Sequence, residues 1–293
     1  MNRSVRPSLH GLSAPARHVA KMRIETASLS PAWKVRSSKW YRISFDHPLL
    51  AEAFDARFPR LRSTPWSKIE GRNGPFGARA ELGLSGLGRH DEIDAFLELL
   101  RGRVIVSDQT SGSLSLSWHY ISGSRSPVGQ LLNQAKLYGT QRLNDEAQRA
   151  AQDLAQEMVQ AFGDFRWFFA GVDAVLAVPR SDPNKADLPG FIAGELAHAH
   201  QLADLRATVT KLRRTRSIKT LPMEQKIVEL DGSIGVESPY LISGRAILIV
   251  DDLYQSGTTI NFIAELLKTY GAREVYGFTA TKTSSHTDNQ GRG

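Results

Sequence analysis

The sequence predicts an α/β protein in which a parallel sheet is flanked by helices and preceded by a small α+β domain. Three observations carry this. From residue 125 onward, short apolar runs recur between helical segments, as buried parallel strands do. Between residues 41 and 120, strand-like stretches alternate apolar and polar positions, the period of a sheet with one buried face. The two patterns meet near Ser122–Pro127. We therefore expect a basic tail over 1–22, an α+β domain of unassigned function over 23–121, and the α/β domain over 122–293. The 293 residues are 41% apolar and 23% charged, which is ordinary globular composition.

The net charge of +7 is uneven. Residues 1–45 contain nine Lys or Arg and one acid, Glu25, a net of +8, which leaves −1 for the remaining 248 residues. The first 22 residues have four basic groups, no acid, and scattered Ser, Pro and Gly. That is the composition of a disordered basic tail, of a transit peptide, or of residues ahead of a true start at Met22. Any affinity for nucleic acid is expected to be electrostatic and to reside in this stretch.

In the first half, Tyr41, Ile43 and Phe45 alternate with Arg42 and Ser44 as a strand, and His47-Pro48 stops it. Leu49–Phe58 reads as a short helix, and Asn73-Gly74-Pro75 and Leu82–Gly88 as turns. Ile93, Phe96, Leu97 and Leu100 fall at helical spacing before Gly102. Arg103–Val106 and Leu114–Tyr120 read as a hairpin closed by the Asp108–Ser113 turn. In the second half, helices are expected over Val128–Ala135, Leu143–Phe162, Gly190–Ala203 and Thr259–Tyr270, with strands at Ala174–Val178, Ala246–Val250 and Glu274–Thr281.

Several chemistries are excluded. There is no cysteine, so there is no disulfide framework, thiol nucleophile or cysteine-held metal. The longest apolar stretch, Trp167–Pro179, is interrupted by Asp173 and falls short of the roughly 18 residues a membrane span needs. A cytosolic setting is expected. His198 and His200, two apart on a helix, face different directions and read as surface histidines rather than a metal pair. Trp33, Trp40 and Trp66 could stack on single-stranded nucleic acid but read better as core.

The most informative stretch is Ile247-Leu248-Ile249-Val250-Asp251-Asp252-Leu253-Tyr254-Gln255-Ser256-Gly257-Thr258-Thr259. A buried strand delivers two carboxylates at its carboxyl end, where ligands bind in open α/β sheets. A loop of small and hydroxyl residues then enters a helix, offering free N–H groups, hydroxyls and a positive dipole end to a phosphate. Carboxylates can accept hydrogen bonds from vicinal hydroxyls. A phosphate a few ångströms from two hydroxyls describes a ribose 5-phosphate.

This stretch resembles the phosphoribosyl-pyrophosphate motif of the type I phosphoribosyltransferases, and its Asp-Asp-Leu-Tyr form is most similar to the ComF-type branch. The likeness runs over about 125–283, through Ser126-Pro127-Val128 to Lys136-Leu137-Tyr138-Gly139, Lys211–Lys219 and the motif. It implies a magnesium-dependent transferase that uses 5-phosphoribosyl 1-pyrophosphate and a base or nucleotide. By resemblance, Asp251 and Asp252 hold the ribose hydroxyls, directly or through a magnesium-bound water. Gln255, Ser256, Gly257, Thr258 and Thr259 cradle the 5-phosphate, with Tyr254 as a further substrate-binding residue. Arg180–Lys185 corresponds to the pyrophosphate loop, with Arg180 and Lys185 as binding residues. Lys211, Arg213 and Arg214, with Arg216 and Lys219, lie where the family has a mobile catalytic loop. The same basic run could be only a solvated loop.

Two departures stand out. The cysteine zinc module common at the start of ComF proteins is absent, and their Arg-Gly-Phe-Asn-Gln element is here Leu188-Pro189-Gly190-Phe191-Ile192. The alternative reading is a non-catalytic phosphoribosyl or nucleotide binder acting in DNA uptake, repair or defence, with single-stranded DNA or DNA-processing proteins as partners. A homodimer is a candidate assembly, and no membrane association is expected.

Overall fold

The computed structural model describes residues 11–29, 33–36, 41–45, 47–71, 74–82, 88–136, 145–180, 186–213 and 221–284. The elements run α1 (Ala14–Val19), β1 (Glu25–Ser28), β2 (Trp33–Arg36), β3 (Tyr41–Phe45), α2 (Pro48–Arg57), β4 (Ser67–Gly71), β5 (Gly74–Glu81) and α3 (His90–Leu100). There follow β6 (Val104–Ser107), β7 (Ser113–Trp118), β8 (Tyr120–Ile121), β9 (Ser124–Arg125), α4 (Pro127–Ala135), α5 (Asp145–Asp164), β10 (Ala174–Ala177) and α6 (Leu188–His200). The chain continues through β11 (Ala203–Asp204), β12 (Val209–Lys211), α7 (Met223–Leu230), β13 (Ile234–Val236), β14 (Ala246–Tyr254), α8 (Thr258–Thr269) and β15 (Glu274–Lys282).

The central sheet has seven strands in the order β1-β6-β7-β15-β14-β10-β11. From β7 to β11 all neighbours are parallel, and the β6–β7 hairpin and β1 add an antiparallel edge. Helices cover both faces, which is the expected α/β class. The unbroken apolar run of β14 follows from that cover. Leu248 and Val250 enter one core and Ile247 and Ile249 the other, because successive side chains leave opposite faces of a strand. In β10, Val175 and Ala177 face the first core while Ala174 and Leu176 face the second.

The expected helices and strands are found within a few residues, and Arg103–Tyr120 forms the expected hairpin, with Val104 opposite Ser115. The small antiparallel sheet, β2-β3-β5-β4, is also present. Trp66 is core-packed as expected. Its ring lies 5.7 Å from Phe45 and 5.8 Å from Phe54, and its Nε1–H donates to Asp55 at 2.9 Å. Trp40 and the side chain of Trp33 lie outside the described residues.

Two expectations are corrected. The boundary at Ser122 does not separate two sheets, since β1, β6 and β7, all from 23–121, hydrogen-bond into the same sheet as β14. The core is continuous as well, through Phe58, Phe96 and Trp167, with centroid spacings of 5.3 and 5.5 Å. A hairpin at a sheet edge and an independent hairpin share one local pattern, so periodicity could not separate them.

The second correction concerns the basic tail, of which residues 11–22 are ordered. Ser13 caps α1 by accepting from Ala16 N–H, Pro15 occupies its first turn, and Ala16 and Val19 are fully buried against the core beneath α8. His18 Nδ1 lies 2.7 Å from Glu265 Oε2 on α8. Three buried residues in a six-residue helix leave no periodic signal. Residues 1–10 lie outside the described residues.

Val19→Ala is expected to lower unfolding free energy by about 1–3 kcal/mol, from two buried methyls plus the cavity they leave. The midpoint of urea denaturation checks this; an unchanged midpoint would mean that α1 is not part of the core.

Candidate functional site

Parallel register sets the site at one end of the sheet. Ala177 lies opposite Val250, Tyr254 opposite Lys282, and Lys282 opposite Trp118, so the carboxyl ends of β10, β14, β15 and β7 lie side by side. The run Ala246–Val250 is fully buried, and the next three residues, Asp251, Asp252 and Leu253, are half-buried. The acidic pair therefore emerges where the sheet stops being covered.

The two carboxylates differ. Asp252 Oδ2 forms an ion pair with Lys136 Nζ at 3.1 Å, from the end of α4. Asp251 Oδ1 accepts the Asp252 backbone N–H at 2.8 Å. Burial, and after it the neighbouring Asp252 charge, raises the Asp251 carboxyl well above the usual carboxylate range; the hydrogen bond and Lys136 only partly oppose this.

Behind the pair, Gln255–Gly257 turns the chain into α8, a helix of 12 residues. Gly257 sits at φ +67°, and a Cβ placed there would fall on the Tyr254 hydroxyl. Both the backbone angle and the close approach call for glycine. Ser256 and Thr258 are buried, their hydroxyls 2.8 Å apart, whereas Gln255 and Thr259 are half-exposed. The residues expected to cradle a phosphate thus occupy one turn at a helix start.

Tyr254 does not belong to the open surface of that turn. It is 1% exposed, and its hydroxyl donates to Asp108 Oδ2 at 2.6 Å. Burial and the Asp108 charge push its phenol well above the usual tyrosine range, so it stays a neutral donor. Asn261 completes the arrangement. Its Nδ2 donates to Gly257 O at 2.9 Å, and its Oδ1 accepts Gln109 N–H at 2.8 Å. Tyr254 supports the loop from beneath.

The remaining expected residues are placed unevenly. Arg180 is exposed, three residues past the end of β10. Lys211 ends β12, half-buried, and its ammonium is shifted down by burial and by Arg213. Arg213 is tied back onto α7: Nη2 donates to Glu229 O at 2.9 Å and to Asp231 O at 3.1 Å, and Nη1 lies 3.5 Å from Glu229 Oε2. Lys185, Arg214, Arg216 and Lys219 lie outside the described residues. His198 is exposed as expected, but His200 is half-buried, its Nε2 3.0 Å from Val159 O and its ring 4.8 Å from Phe162.

The sequence reading missed Lys136, Asp108, Asn261 and Lys226. Lys136 stood inside the quoted motif segment without a role. Lys226, on α7, is 4% exposed with Nζ 3.4 Å from Ser256 Oγ. Asp108 and Asn261 carried no signal, because their partners are distant in sequence. Among the described residues, no three His, Asp or Glu side chains converge on a metal position. The donor set suits a cation that arrives on substrate oxygens and adds one or two carboxylates and water, which is how magnesium is usually held.

With the geometry in place, the comparisons are specific about one region. Residues 192–287 match the family model of the phosphoribosyl transferase domain. That span contains both carboxylates and the whole turn into α8. No curated protein matches. Among solved structures, the chain is similar to glutamine phosphoribosylpyrophosphate amidotransferase from B. subtilis complexed with ADP and GMP, at 15% identity and TM-score 0.36, over 85% of this chain and 47% of that one. It is also similar to purine phosphoribosyltransferase from Pyrococcus horikoshii, at 14% identity and TM-score 0.30, over 46% and 86% of the two chains. A third is hypoxanthine phosphoribosyltransferase from Trypanosoma cruzi complexed with IMP, at 12% identity and TM-score 0.31, over 46% and 65%. The chain spans about half the length of the amidotransferase. Superpositions this loose transfer no property. No helix among the described residues is long and apolar enough to cross a membrane.

Two outcomes follow from the site. Gly257→Val is expected to destabilise the fold by at least about 1–2 kcal/mol, from left-handed backbone strain and displacement of Tyr254. Urea unfolding measures it, and a wild-type midpoint would show that Tyr254 does not hold this position. Asp251→Asn is expected to stabilise the unliganded protein at neutral pH. The Asp251 carboxyl has a folded pKa above its ordinary 3.8, so its cost is absent below that value and grows as pH rises toward the folded pKa. The stability difference between variant and wild type should therefore be near zero in acid and rise towards pH 7 in a pH series of unfolding curves.

Proposed function

We propose that this protein is a phosphoribosyltransferase, moving a 5-phosphoribosyl group from phosphoribosyl pyrophosphate to a nitrogenous acceptor with release of pyrophosphate. The observation that carries this reading is the acidic pair at the open end of a buried parallel strand, one turn before a helix start that presents backbone N–H groups and hydroxyls. The match of residues 192–287 to the phosphoribosyl transferase domain supports it.

In this reading Asp251 and Asp252 accept hydrogen bonds from the ribose hydroxyls, and the Gln255–Thr259 turn holds the 5-phosphate against the positive end of α8. Held at both ends, the sugar presents its anomeric carbon in a fixed position. The bond from that carbon to the pyrophosphate oxygen breaks, positive charge builds on the ring, and the acceptor nitrogen forms the new bond as pyrophosphate departs. The acidic pair lies where that charge develops, and the raised Asp251 carboxyl is lowered as ligand charge approaches. Lys136 must yield part of its hold on Asp252 to admit the hydroxyls. Magnesium bound to the donor would neutralise the leaving pyrophosphate, with Asp251 and Asp252 as its nearest carboxylates. Arg180 stands at the neighbouring strand end, where the pyrophosphate loop is expected.

A second reading, that of a ComF-like binder without turnover, is favoured by one observation. Ile192 and Ala193, which stand at the two amide positions of the family element when its Gly-Phe is set on Gly190-Phe191, are both 0% exposed and serve the core. On this reading single-stranded DNA or DNA-processing proteins are the partners.

Asp251→Asn combined with Asp252→Asn is expected to reduce phosphoribosyl pyrophosphate affinity at least about tenfold, through the loss of charged hydrogen bonds, while the fold persists. Calorimetric titration with circular dichroism as the fold check tests this, and unchanged affinity in the folded variant removes the site assignment. Pyrophosphate release with a panel of bases separates the two readings: base-dependent release supports transfer, and tight binding without release supports the binder.

A further inference from the structure

We infer that Lys226 is the cationic wall of the phosphate subsite and selects a phosphate monoester for the Gln255–Thr259 turn; this rests on the reading of that turn as a phosphate loop. The inference starts from an imbalance in the unliganded protein. Lys226 is 4% exposed, yet among the described residues no carboxylate forms an ion pair with it. Its hydrogen-bond partner is a neutral hydroxyl, Ser256 Oγ, at 3.4 Å. Burial alone lowers its ammonium from the usual lysine range, with no acid opposing the shift. A buried cation without a counter-ion is costly to keep, because the interior offers little in place of its lost hydration.

The position of that cation tells what would relieve the cost. Ser256 Oγ, which Lys226 touches, is 2.8 Å from Thr258 Oγ1, and Thr258 opens the helix that follows. Met223, one turn before Lys226, lies 3.8 Å from Thr258 Oγ1, so α7 is packed on the start of α8 and Lys226 is held there by the fold. An ammonium and the N–H groups of a helix start can only donate toward an incoming ligand, and the two hydroxyls beside them can turn to donate as well. They suit a doubly charged monoester oxygen cluster better than a neutral sugar or a carboxylate.

Lys226 is therefore a binding residue for the phosphate end of the ligand, remote from the bond that breaks. It sets which ligands enter and adds to their affinity. The fold maintains it in a strained electrostatic state that the ligand relaxes.

The test uses full-length wild type, Lys226→Met, Lys226→Arg and the Asp251→Asn/Asp252→Asn variant, with ribose 5-phosphate as the probe and ribose as the control. Calorimetry is expected to give at least about tenfold weaker ribose 5-phosphate binding for Lys226→Met, the range of a lost charged hydrogen bond, with Lys226→Arg within about threefold of wild type. Thermal unfolding separates this from packing. Lys226→Met should melt at or above the wild-type temperature without ligand, because an unpaired buried charge is gone, and should lose the ligand-induced rise. A lower unliganded melting temperature with the ligand-induced rise retained would assign Lys226 a structural role and overturn the inference. Wild-type affinity in Lys226→Met, with the Asp variant impaired, would overturn the Lys226 assignment alone. Failure of wild type to bind ribose 5-phosphate would instead overturn the phosphate-loop reading itself.

Discussion

The Asp108 carboxylate is the interaction on which the site's architecture rests. It accepts from the Tyr254 hydroxyl at 2.6 Å, from Thr110 N–H at 2.9 Å and from the Thr110 and Ser113 hydroxyls at 2.6 and 3.1 Å. Asn261 Nδ2 approaches the same carboxylate at 3.3 Å and holds Gly257 O at 2.9 Å. One acid thus ties the β6–β7 turn to the end of β14 and the first turn of α8. A charged acceptor saturated in this way fixes its donors more firmly than neutral bonds would. Gly257 is then required twice, by its backbone angle and by the Tyr254 oxygen beside it. The loop is shaped from below, and Gln255 and Thr259 stay half-exposed.

Above that support, the protein keeps groups in states that do not favour folding. Asp251 is held with a raised carboxyl beside a second acid, and Lys226 is a buried ammonium whose hydrogen-bond partner among the described residues is a hydroxyl. Among the described residues, Lys136 is ion-paired with Asp252 and no carboxylate is ion-paired with Lys226. A ligand with hydroxyls at one end and a phosphate at the other would relieve both. Such unrelieved groups are expected at binding sites, where stability is spent on preorganisation. The very different environments of the two neighbouring acids also divide their roles, with Asp252 held by a lysine and Asp251 ready to respond to charge.

The first half of the chain is structurally committed to this site. The β6–β7 hairpin supplies Asp108 and a parallel neighbour for β15, β1 closes the edge, and the aromatic contacts from Phe58 through Phe96 to Trp167 join the two halves in one core. α1, from the basic N-terminal stretch, covers apolar surface beneath α8. Removing that helix would expose the underside of the element that positions the Gln255–Thr259 turn.

What the sequence by itself determined are features encoded within a few neighbouring residues. The strand and helix periods were legible, and so was the motif from Ile247 to Thr259, because one strand, one turn and one helix start hold it contiguously. Contiguity also misled: Tyr254 lies inside the motif, yet its side chain turns inward. Only the tertiary structure decided that, because the partner drawing it in is Asp108, 146 residues away. The same holds for the sheet membership of β1, β6 and β7, for the docking of α1, and for the placement of Lys226 against Ser256. Each depends on surfaces that meet only after the sheet is assembled, and hydrophobic period carries no record of which distant face a residue will meet.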